Sequence, residues 1–327
     1  TQNLAIKYLA TLTAGNTTSH LMNILETDVF PHVGDNHIDK AYYLGYTVNK
    51  LLHVYFNINK PTDRDNFMYK RVDLSGFLLA NLFRENFKQF QRDCKIAIDT
   101  IYRFNSSQYQ NENYQNIINE DNFKKIFDYK VIENAFLKAF KIGTILNKKG
   151  LIQSLNRLTS LGSMSQLRRI NTTGDMIMIG QRKLHPTQFG IICPVETPDG
   201  GNIGIKKHLT IMGNITFGCD PKPIFNLLLQ LGVRELNSIK PNFINDNSKI
   251  FVNGKWVGIH EDPKKLVEIL RIYRRNGFIN IFTSINFDMH HNEINILTDN
   301  GRCCIPLYIL ENNKTLLTKD ILDKLRI

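Results

Sequence analysis

The sequence has 327 residues, 42% of them hydrophobic, and a formal net charge of +11 at pH 7. This length is too great for one small core and predicts two or three domains. The 20 Phe and 12 Tyr exclude a chain that is disordered throughout, and the excess positive charge favours a polyanionic partner without deciding the fold.

Helical periodicity dominates the N-terminal half of the chain. A spacing of three and four residues predicts a helix with an apolar face formed by Leu44, Val48, Leu51, Leu52 and Tyr55. After a break at residues 61–65, residues 77–102 predict a long helix with an apolar side formed by Leu78, Leu82, Phe83, Phe87 and Phe90.

A polar segment follows, and helical periodicity then returns. Residues 105–120 are rich in Asn, Gln and Ser and predict an exposed loop or the polar start of a helix. Residues 123–146 predict a further helix that Gly150 ends. Lys148 and Lys149 would then lie in its last turn, where positive charge is favourable to the helix dipole.

The second half of the chain has shorter elements. Residues 150–215 predict short helices and strands separated by Gly and Pro, and a domain boundary is expected at residues 219–223. Asn253-Gly254 lies between two apolar runs and predicts a two-residue hairpin. Asp262 and Pro263 predict the start of a helix that Gly277 closes, and a second hairpin is predicted between residues 294–298 and 303–309.

These patterns predict an α+β, multidomain fold. It has a helical N-terminal half, a mixed α/β middle and a compact α+β unit with two hairpins. The five cysteines show no CxxC spacing, and none of the nine histidines lies at ligand spacing from one of them. Cys303 and Cys304 are adjacent and would point to opposite faces of a strand. Reduced, buried thiols are therefore expected rather than a disulfide framework or a metal site.

No targeting or membrane segment is predicted. The apolar runs are far shorter than the roughly 20 residues that a membrane-spanning helix needs, and no signal peptide is seen. The chain starts at Thr1 and stops at Ile327 within a helical pattern. We therefore expect it to be a piece of a longer polypeptide, with no membrane partner.

Residues 141–183 form a basic strip. The strip contains one acid, Asp175, and eight basic residues: Lys141, Lys148, Lys149, Arg157, Arg168, Arg169, Arg182 and Lys183. Its neutral donors and acceptors, among them Gln153 and Asn156, suit phosphate, sugar and base edges. The pattern is typical of a nucleic-acid surface, with a solvated basic face as the alternative; a Gly-containing loop at residues 172–175 favours binding.

Residues 185–204 are interrupted by three prolines and four glycines and carry two isolated carboxylates, Glu196 and Asp199. Proline fixes φ, and glycine lets a backbone approach another chain closely. The carboxylates could accept hydrogen bonds from amides of their own turn, or they could face a ligand. The residues alone do not decide between these alternatives.

No catalytic constellation can be identified from the residues. His185 is interpreted as a packing histidine in preference to a proton donor. Asp63 and Asp65 have DxD spacing, but the neighbouring Arg64 and Arg71 favour ion pairing over metal binding. No nucleophile–base pair and no paired-carboxylate metal cluster is evident.

Five blocks of the sequence resemble one family. Residues 185–200 resemble the HP(T/S)xxG…CPxETP(E/D)G signature of the second-largest subunit of multisubunit RNA polymerases, the counterpart of bacterial β. Residues 63–76 resemble its DRDxxxxKRxDLxG segment, residues 167–172 its LRRTN, and residues 251–258 its FVNGxWxG. Residues 298–307 resemble TDxGRxxRPL, except that the Arg before Pro306 is not present. The blocks follow the family's order and are more similar to eukaryotic and giant-virus members than to bacterial ones.

The resemblance implies a domain order. It assigns residues 1–76 to the end of the lobe, 77–145 to the returning, helical part of the protrusion, and 146–218 to the fork. Residues 219–312 would form external domain 1, and 313–327 the start of external domain 2. In this family the fork lies beside the active centre, near the RNA–DNA hybrid and the point where downstream DNA opens.

The resemblance also implies site residues. Gln153, Asn156 and Arg169 match fork positions that contact RNA and, in bacterial members, help form the rifamycin pocket; Arg168 is beside them. Arg157, Arg182 and Lys183, which belong to the basic strip, complete the expected nucleic-acid-binding set. The turn that approaches the RNA end and the incoming nucleotide, called here the wall turn, would contain Glu196, Pro198, Asp199, Gly200 and Asn202. The resemblance favours an active-centre role for Asp199 and leaves Glu196 ambiguous.

The rest of the machinery implied by the family lies outside this chain. The Mg²⁺ ions would be bound mainly by the largest subunit, so we expect no catalytic residue, no metal ligand and no polymerisation from this piece alone. The implied partners are the largest and other polymerase subunits, template DNA and nascent RNA. The implied location is intracellular: the nucleus for a cellular protein, the cytoplasm or virion for a viral one. A non-enzymatic module that binds single-stranded nucleic acid, or a structural scaffold, is the alternative.

One segment departs from the family. The loop at residues 172–182 is shorter and less basic than the usual second fork loop, and it contains a Met-Ile-Met-Ile run. This run is expected to be a short strand in a tightened loop or, alternatively, an apolar wedge where the DNA strands open.

Overall fold

The computed structural model describes residues 2–13, 17–104, 117–145, 148–172, 179–239, 243–244 and 247–325. Helix accounts for 49% and strand for 14%, distributed over several small sheets, which confirms the predicted α+β class. The chain divides into two compact units, residues 1–64 with 215–302 and residues 65–214 with 303–327.

Eleven α-helices lie within these described ranges. They are α1 (Gln2–Leu12), α2 (Thr18–Thr27), α3 (His37–Tyr55), α4 (Ser75–Phe104), α5 (Glu120–Ile126), α6 (Lys130–Ile142), α7 (Ser160–Leu167), α8 (Ile179–Arg182), α9 (Lys222–Gln230), α10 (Pro263–Arg275) and α11 (Lys319–Leu325).

The same ranges contain thirteen β-strands, most of them short. They are β1 (Thr144–Ile145), β2 (Lys148–Lys149), β3 (Arg169–Asn171), β4 (Lys206–His208), β5 (Asn214–Ile215), β6 (Arg234–Glu235), β7 (Ser248–Val252), β8 (Lys255–His260), β9 (Ser284–Asp288), β10 (Glu293–Leu297), β11 (Cys303–Cys304), β12 (Leu310–Glu311) and β13 (Lys314–Thr315).

The first unit is built around a five-stranded sheet with the strand order β6-β8-β7-β10-β9. All its strand pairs are antiparallel except β7 with β10, which run parallel. Apolar side chains of the strands and of α9 and α10 form one buried core, with Leu228, Ile250 and Ile294 fully buried at its centre. Every second residue of the strands meets the apolar side of α10 in this core, as expected for a sheet covered by helices.

The first predicted hairpin and the predicted helix are confirmed. Asn253 and Gly254 connect β7 to β8 with φ values of 51° and 86°, the left-handed conformation that a tight two-residue turn requires. The Asp262 side chain accepts a hydrogen bond from the Lys265 amide, and Pro263 occupies the first position of α10. Gly277 follows the helix with a φ of 78°.

The predicted helix around residue 50 is confirmed as α3, but its contacts differ from the expected ones. The helix packs through Tyr42, Tyr43 and Tyr46. The Tyr42 ring lies against Trp256, and the Tyr46 ring lies against both Phe251 and Trp256. The predicted apolar face remains exposed: Leu44, Val48, Leu51, Leu52 and Tyr55. Periodicity identified the helix correctly and its buried side incorrectly.

The second unit contains the long helix α4, which confirms the prediction for residues 77–102. Leu82 is buried against Ala139 of α6 and Ile145 of β1, and Leu78 and Phe136 pack around them. Phe83, Phe87 and Phe90 stack along one side of α4, with ring centroids 5.7 and 6.0 Å apart.

The single helix predicted for residues 123–146 is wrong. Two helices, α5 and α6, occupy this part of the chain, and α6 ends at Gly143 instead of Gly150. Gly143 has a φ of 74°, and its amide caps the helix by donating to the Ala139 carbonyl, so the chain turns there. Lys148 and Lys149 therefore lie in strand β2, which pairs with β1, and take no part in a helix end.

The hairpin predicted between residues 294–298 and 303–309 is also wrong. Strand β10 pairs with β9 and β7, so the second hairpin of this unit is β9–β10. Other contacts fix the turn at residues 299–302. The buried guanidinium of Arg302 bonds Asp299 and the Phe282 carbonyl, and the backbone of Arg302 bonds Thr216. These contacts direct the chain away from β10.

All five cysteines are half-buried thiols that form no disulfide. Burial raises the pKa of Cys303 to about 11, with the neighbouring Cys304 acting in the same direction and Arg71 opposing both. Among the described residues, no helix combines the length and the apolar character needed to cross a bilayer.

Candidate nucleic-acid interface

The candidate interface is centred on the short antiparallel pair of β3 and β4 in the second unit. Its register places Arg169 directly opposite His208. The Arg169 Nε–H donates a hydrogen bond to His208 Nε2 over 3.1 Å. This bond uses only one of the five guanidinium N–H groups, so the Nη groups of Arg169 take no part in it.

His208 connects Arg169 to the wall turn. Its Nδ1 lies 3.1 Å from Oε1 of Glu196, and the same oxygen accepts a hydrogen bond of 2.7 Å from Ser165 Oγ on α7. Because Nε2 accepts from Arg169, the tautomer that satisfies both contacts carries its proton on Nδ1. Arg169, His208, Glu196 and Ser165 thus form one polar network, called here the His208 network.

Burial determines the charge of this network. His208 is only 3% exposed, and burial lowers its pKa below the ordinary 6.5; Glu196 acts to raise the pKa and Arg169 to lower it further. The imidazole is therefore neutral at pH 7, and only the neutral ring can accept a hydrogen bond from Arg169.

The two carboxylates of the wall turn have different surroundings. Glu196 bonds Ser165 and His208 through a side chain that is 51% exposed, so it does not serve only its own turn. Asp199 is exposed and precedes the 3₁₀ turn Gly200–Asn202, but its side chain does not cap that turn. The Asp199 carboxylate is therefore not used as the cap of this turn.

The backbone of the wall turn is clamped by Arg182 at the end of α8. Its Nη1 donates to the carbonyl oxygens of Gly201 and Ile203, both over 2.8 Å. Gly204 has a φ of 72°, and a Cβ there would lie 2.3 Å from the Arg182 carbonyl oxygen. The Thr197 hydroxyl also stabilises this turn, because it accepts a hydrogen bond from the Gly204 amide and donates one to the Lys206 carbonyl.

The remaining members of the wall turn occupy intermediate positions. Pro198 and Asn202 are half-buried, and Gly200 is exposed with a φ of 75°. The left-handed conformation at Gly200 begins the 3₁₀ turn after Asp199 and is one that side chains rarely adopt.

Arg168 points away from the His208 network. Its Nη2 donates to the carbonyl oxygens of Thr210 and Gly213, so the guanidinium holds the turn that follows β4. The Arg168 side chain thus stabilises the turn after β4, whereas the Arg169 side chain belongs to the His208 network.

Gln153 and Asn156 are engaged within their own loop. Gln153 Nε2 donates to the Gly150 carbonyl, and Asn156 Oδ1 accepts from the Leu158 amide. Gln166 on α7 bonds both the Asn156 amide and the Ser154 carbonyl, which ties the loop to the helix. Their side chains are nevertheless exposed.

Arg157 and Lys183 are exposed. The structure thus brings Arg169 and Arg182 to the wall turn and leaves Arg157, Lys183 and Arg168 outside these contacts. Most of the Met-Ile-Met-Ile run lies in residues 173–178, outside the described residues, and Ile179 begins α8.

Sequence reasoning missed His208, Ser165 and Lys207. Lys207 is buried, and its pKa is lowered by burial and by Lys70, which outweigh the opposing charge of Asp65. In the sequence, Lys207 and His208 belong to a short polar strand and Ser165 to a short helix, and no motif marks either segment as a site. The β3–β4 register is a long-range contact that makes His208 recognisable, and no local pattern contains it.

Two other candidates have structural partners. His185 caps the 3₁₀ turn Pro186–Gln188 through Nδ1, which accepts from the Thr187 amide, in line with its interpretation as a packing residue. Asp65 pairs with Lys70 over 3.4 Å. Within the described ranges, no three His, Cys, Asp or Glu side chains are grouped so that they could hold a metal ion.

Three consecutive family models match the chain. Residues 11–73 match RNA polymerase Rpb2, domain 2; residues 153–215 match domain 3; and residues 250–311 match domain 4. The match to domain 3 contains the whole interface described above.

Curated proteins match over nearly the full length of the chain. It is 34% identical to DNA-directed RNA polymerase II subunit RPB2 of Encephalitozoon cuniculi over 99% of this chain and 29% of that protein. It is 36% identical to DNA-directed RNA polymerase II subunit 2 of Arabidopsis thaliana, over 91% and 25%. It is 29% identical to DNA-directed RNA polymerase subunit Rpo2 of Saccharolobus shibatae, over 92% of this chain and 27% of that protein. The chain therefore spans 25% to 29% of the length of these relatives.

Proposed function

Because the chain belongs to the family of second-largest subunits of DNA-directed RNA polymerases, we propose that it is part of such a subunit and helps to form the active centre. In this proposal the region of residues 146–218 is the fork wall that contacts the RNA–DNA hybrid and downstream DNA during transcription. The observation that supports it most directly is the His208 network, which joins a basic residue of β3 to the wall turn.

The proposed roles follow from the contacts. Arg169, with its Nη groups unused by His208, is proposed to bind the nucleic-acid backbone, since phosphate and guanidinium match as bidentate partners. Gln153, Asn156, Arg157 and Lys183 are exposed and are proposed to add contacts along the same strand.

Two arginines are proposed to act mainly on the backbone of the protein. Arg182 holds the wall turn and Arg168 the turn after β4. The wall turn itself presents the exposed Asp199 carboxylate. A carboxylate cannot bind phosphate directly, so Asp199 is proposed to face sugar hydroxyls or base amino groups near the RNA end.

Chemistry is proposed to be supplied by other parts of the enzyme. Nucleotide addition needs carboxylate-bound Mg²⁺ and cationic groups on the triphosphate. We propose that the largest subunit binds the Mg²⁺, and that this chain contributes a positioning surface without a catalytic residue. The proposed partners are the largest and other polymerase subunits, template DNA and nascent RNA, in the nucleus of a cell or in the cytoplasm or virion of a virus.

The first experiment tests the assembly. The full-length natural subunit, affinity-tagged and purified from its source, should bring down a largest subunit with an NADFDGD-type metal loop. The complex should extend RNA on a primed template with Mg²⁺, whereas the 327-residue chain alone should not. A full-length chain that purifies alone and binds single-stranded nucleic acid without extending RNA would instead indicate a binding module.

The second experiment tests the surface. In the assembled enzyme, Arg169→Ala should weaken RNA retention about tenfold, the effect of losing one charged phosphate contact. Arg234→Ala is the matched control, because Arg234 lies in the other unit and pairs with Glu261 at the surface. Equal retention by both variants would contradict the proposed surface.

A further inference from the structure

His208 lies between two groups of the proposed surface without being able to reach nucleic acid itself. The side chain is almost completely buried, and its two ring nitrogens are both engaged, one with Arg169 and one with Glu196. A residue in this position can act on a ligand only through its neighbours.

We propose that His208 is a positioning residue: its neutral imidazole holds the Arg169 guanidinium by the Nε–H so that the Nη edge faces a phosphate of the bound RNA strand. This inference rests on the proposed function, because it specifies how one member of that surface is oriented.

The geometry supports this role. An arginine side chain has several rotatable bonds, and fixing one N–H group on a buried acceptor removes much of this freedom before the ligand arrives. His208 is itself fixed from the other side, since Glu196 Oε1 bonds its Nδ1–H and is in turn bonded by Ser165. The orientation of Arg169 thus depends on contacts from α7, β4 and the wall turn.

The same geometry makes the orientation depend on protonation. The charged and titratable groups that face the imidazole are Arg169 from β3 and Glu196 from the wall turn; Ser165 from α7 is neutral. A protonated imidazole carries a hydrogen on Nε2, so it can no longer accept from Arg169 and repels it. Glu196 would then keep the ring while Arg169 is released.

Two substitutions separate the two contacts. His208→Gln places an amide near the Nε2 position, where its oxygen can still accept from Arg169. His208→Asn places an amide near the Nδ1 position, where its N–H can still donate to Glu196. If orientation of Arg169 is what matters, His208→Gln should retain RNA nearly as well as the unsubstituted enzyme, and His208→Asn should lose about tenfold, like Arg169→Ala.

The test uses the assembled full-length polymerase on an RNA–DNA scaffold, with the rate of RNA release measured against salt concentration and pH. The log–log salt slope should fall by about one for Arg169→Ala and for His208→Asn, because each removes one phosphate contact. Combining these two substitutions should add nothing further, as expected when two residues act through one interaction. His20→Ala, at an exposed position of α2, is the control and should leave all values unchanged.

The pH profile tests whether RNA release follows the protonation of His208. Release from the unsubstituted enzyme should be constant between pH 8 and 7 and should accelerate as the pH falls below 6.5, while His208→Gln should stay flat. A profile of the unsubstituted enzyme that is flat over the whole acidic range in which the complex stays assembled would overturn the proposal even if no His208 variant assembled.

The outcomes separate the two proposals. If Arg169→Ala weakens RNA retention but His208→Asn does not, or if their effects add, His208 has no positioning role and the proposed function stands. If Arg169→Ala has no effect, the proposed surface itself is wrong, and the positioning proposal fails with it.

Discussion

The five-stranded sheet of the first unit and the candidate interface of the second are held together by different kinds of contact. In the sheet, Leu228, Ile250 and Ile294 are fully buried and pack against one another across strands and helices. In the interface, the paired strands have only three residues each. The turns next to them are fixed by side chains that bond the main chain, above all Arg168 and Arg182.

The difference determines which perturbations each region tolerates. An apolar core responds to lost volume and is insensitive to pH, because burial of apolar area drives its formation. A region held by charged donors and buried polar groups loses stability when a donor, an acceptor or a proton is changed. Such a region can, in return, present rigid polar groups at a surface.

The largest expected effect comes from the core of the sheet. Leu228→Ala should lower the free energy of unfolding by about 2–5 kcal/mol, because a fully buried leucine leaves a cavity. Leu229→Ala is the matched control at a side chain that is 41% exposed, and it should cost much less. Urea unfolding followed by fluorescence of Trp256, the single tryptophan, reports on this unit directly. Similar losses for both variants would contradict the described core.

A smaller effect is expected at the wall turn. Gly204→Ala should destabilise the interface by about 1–3 kcal/mol, since the new Cβ would combine a strained φ with a clash against the Arg182 backbone. Gly200→Ala has nearly the same φ but nothing within 4 Å, so it isolates the conformational cost. Amide exchange of residues 197–206 should rise more in the first variant. Equal exchange in both would show that the close approach contributes nothing.

A still smaller effect is expected from pH. Because the pKa of His208 is lowered in the folded chain, the neutral ring contributes stability that is fully present well above pH 6.5 and is lost as the pH falls below it. Amide exchange of β3 and β4 should therefore accelerate between pH 7 and 5.5, after correction for the intrinsic rate, while that of β7 and β10 should not. In His208→Gln the difference between the two regions should disappear.

The smallest effect is expected at the surface of the sheet unit. Arg234 pairs with Glu261 over 2.7 Å, but the two side chains are 62% and 69% exposed. Arg234→Ala should change the free energy of unfolding by less than about 1 kcal/mol, and added salt should remove the difference. A loss as large as that of Leu228→Ala would mean that the two regions are not as different as their contacts indicate.

Local signals predicted the elements that depend on neighbouring residues. The Asn253-Gly254 turn, the start of α10 at Asp262 and the long helix α4 are each encoded within a few residues, and each is confirmed. The helix around residue 50 was predicted for the same reason. Its buried side was not, because that side is decided by distant aromatic partners such as Trp256.

Most of the failures are long-range, whereas the helix end at Gly143 is a local cap. The second hairpin was misplaced because Arg302 is held by Thr216 and Phe282, residues far away in the sequence. His208 was missed because its role depends on the register between β3 and β4. The interface residues were named from a family resemblance, and their contacts with nucleic acid, like the assigned domain limits, stay predictions.

The parallel pairing of β7 with β10 has a consequence for synthesis of the chain. Between these neighbours in the sheet the ribosome must make β8, α10 and β9, so the position that β10 occupies beside β7 stays empty until Leu297 has emerged. Nascent chains that stop after α10 would leave Ile250 and Val252 uncovered on that edge. We expect such products to be degraded or retained by chaperones, whereas chains that extend beyond β10 should resist protease.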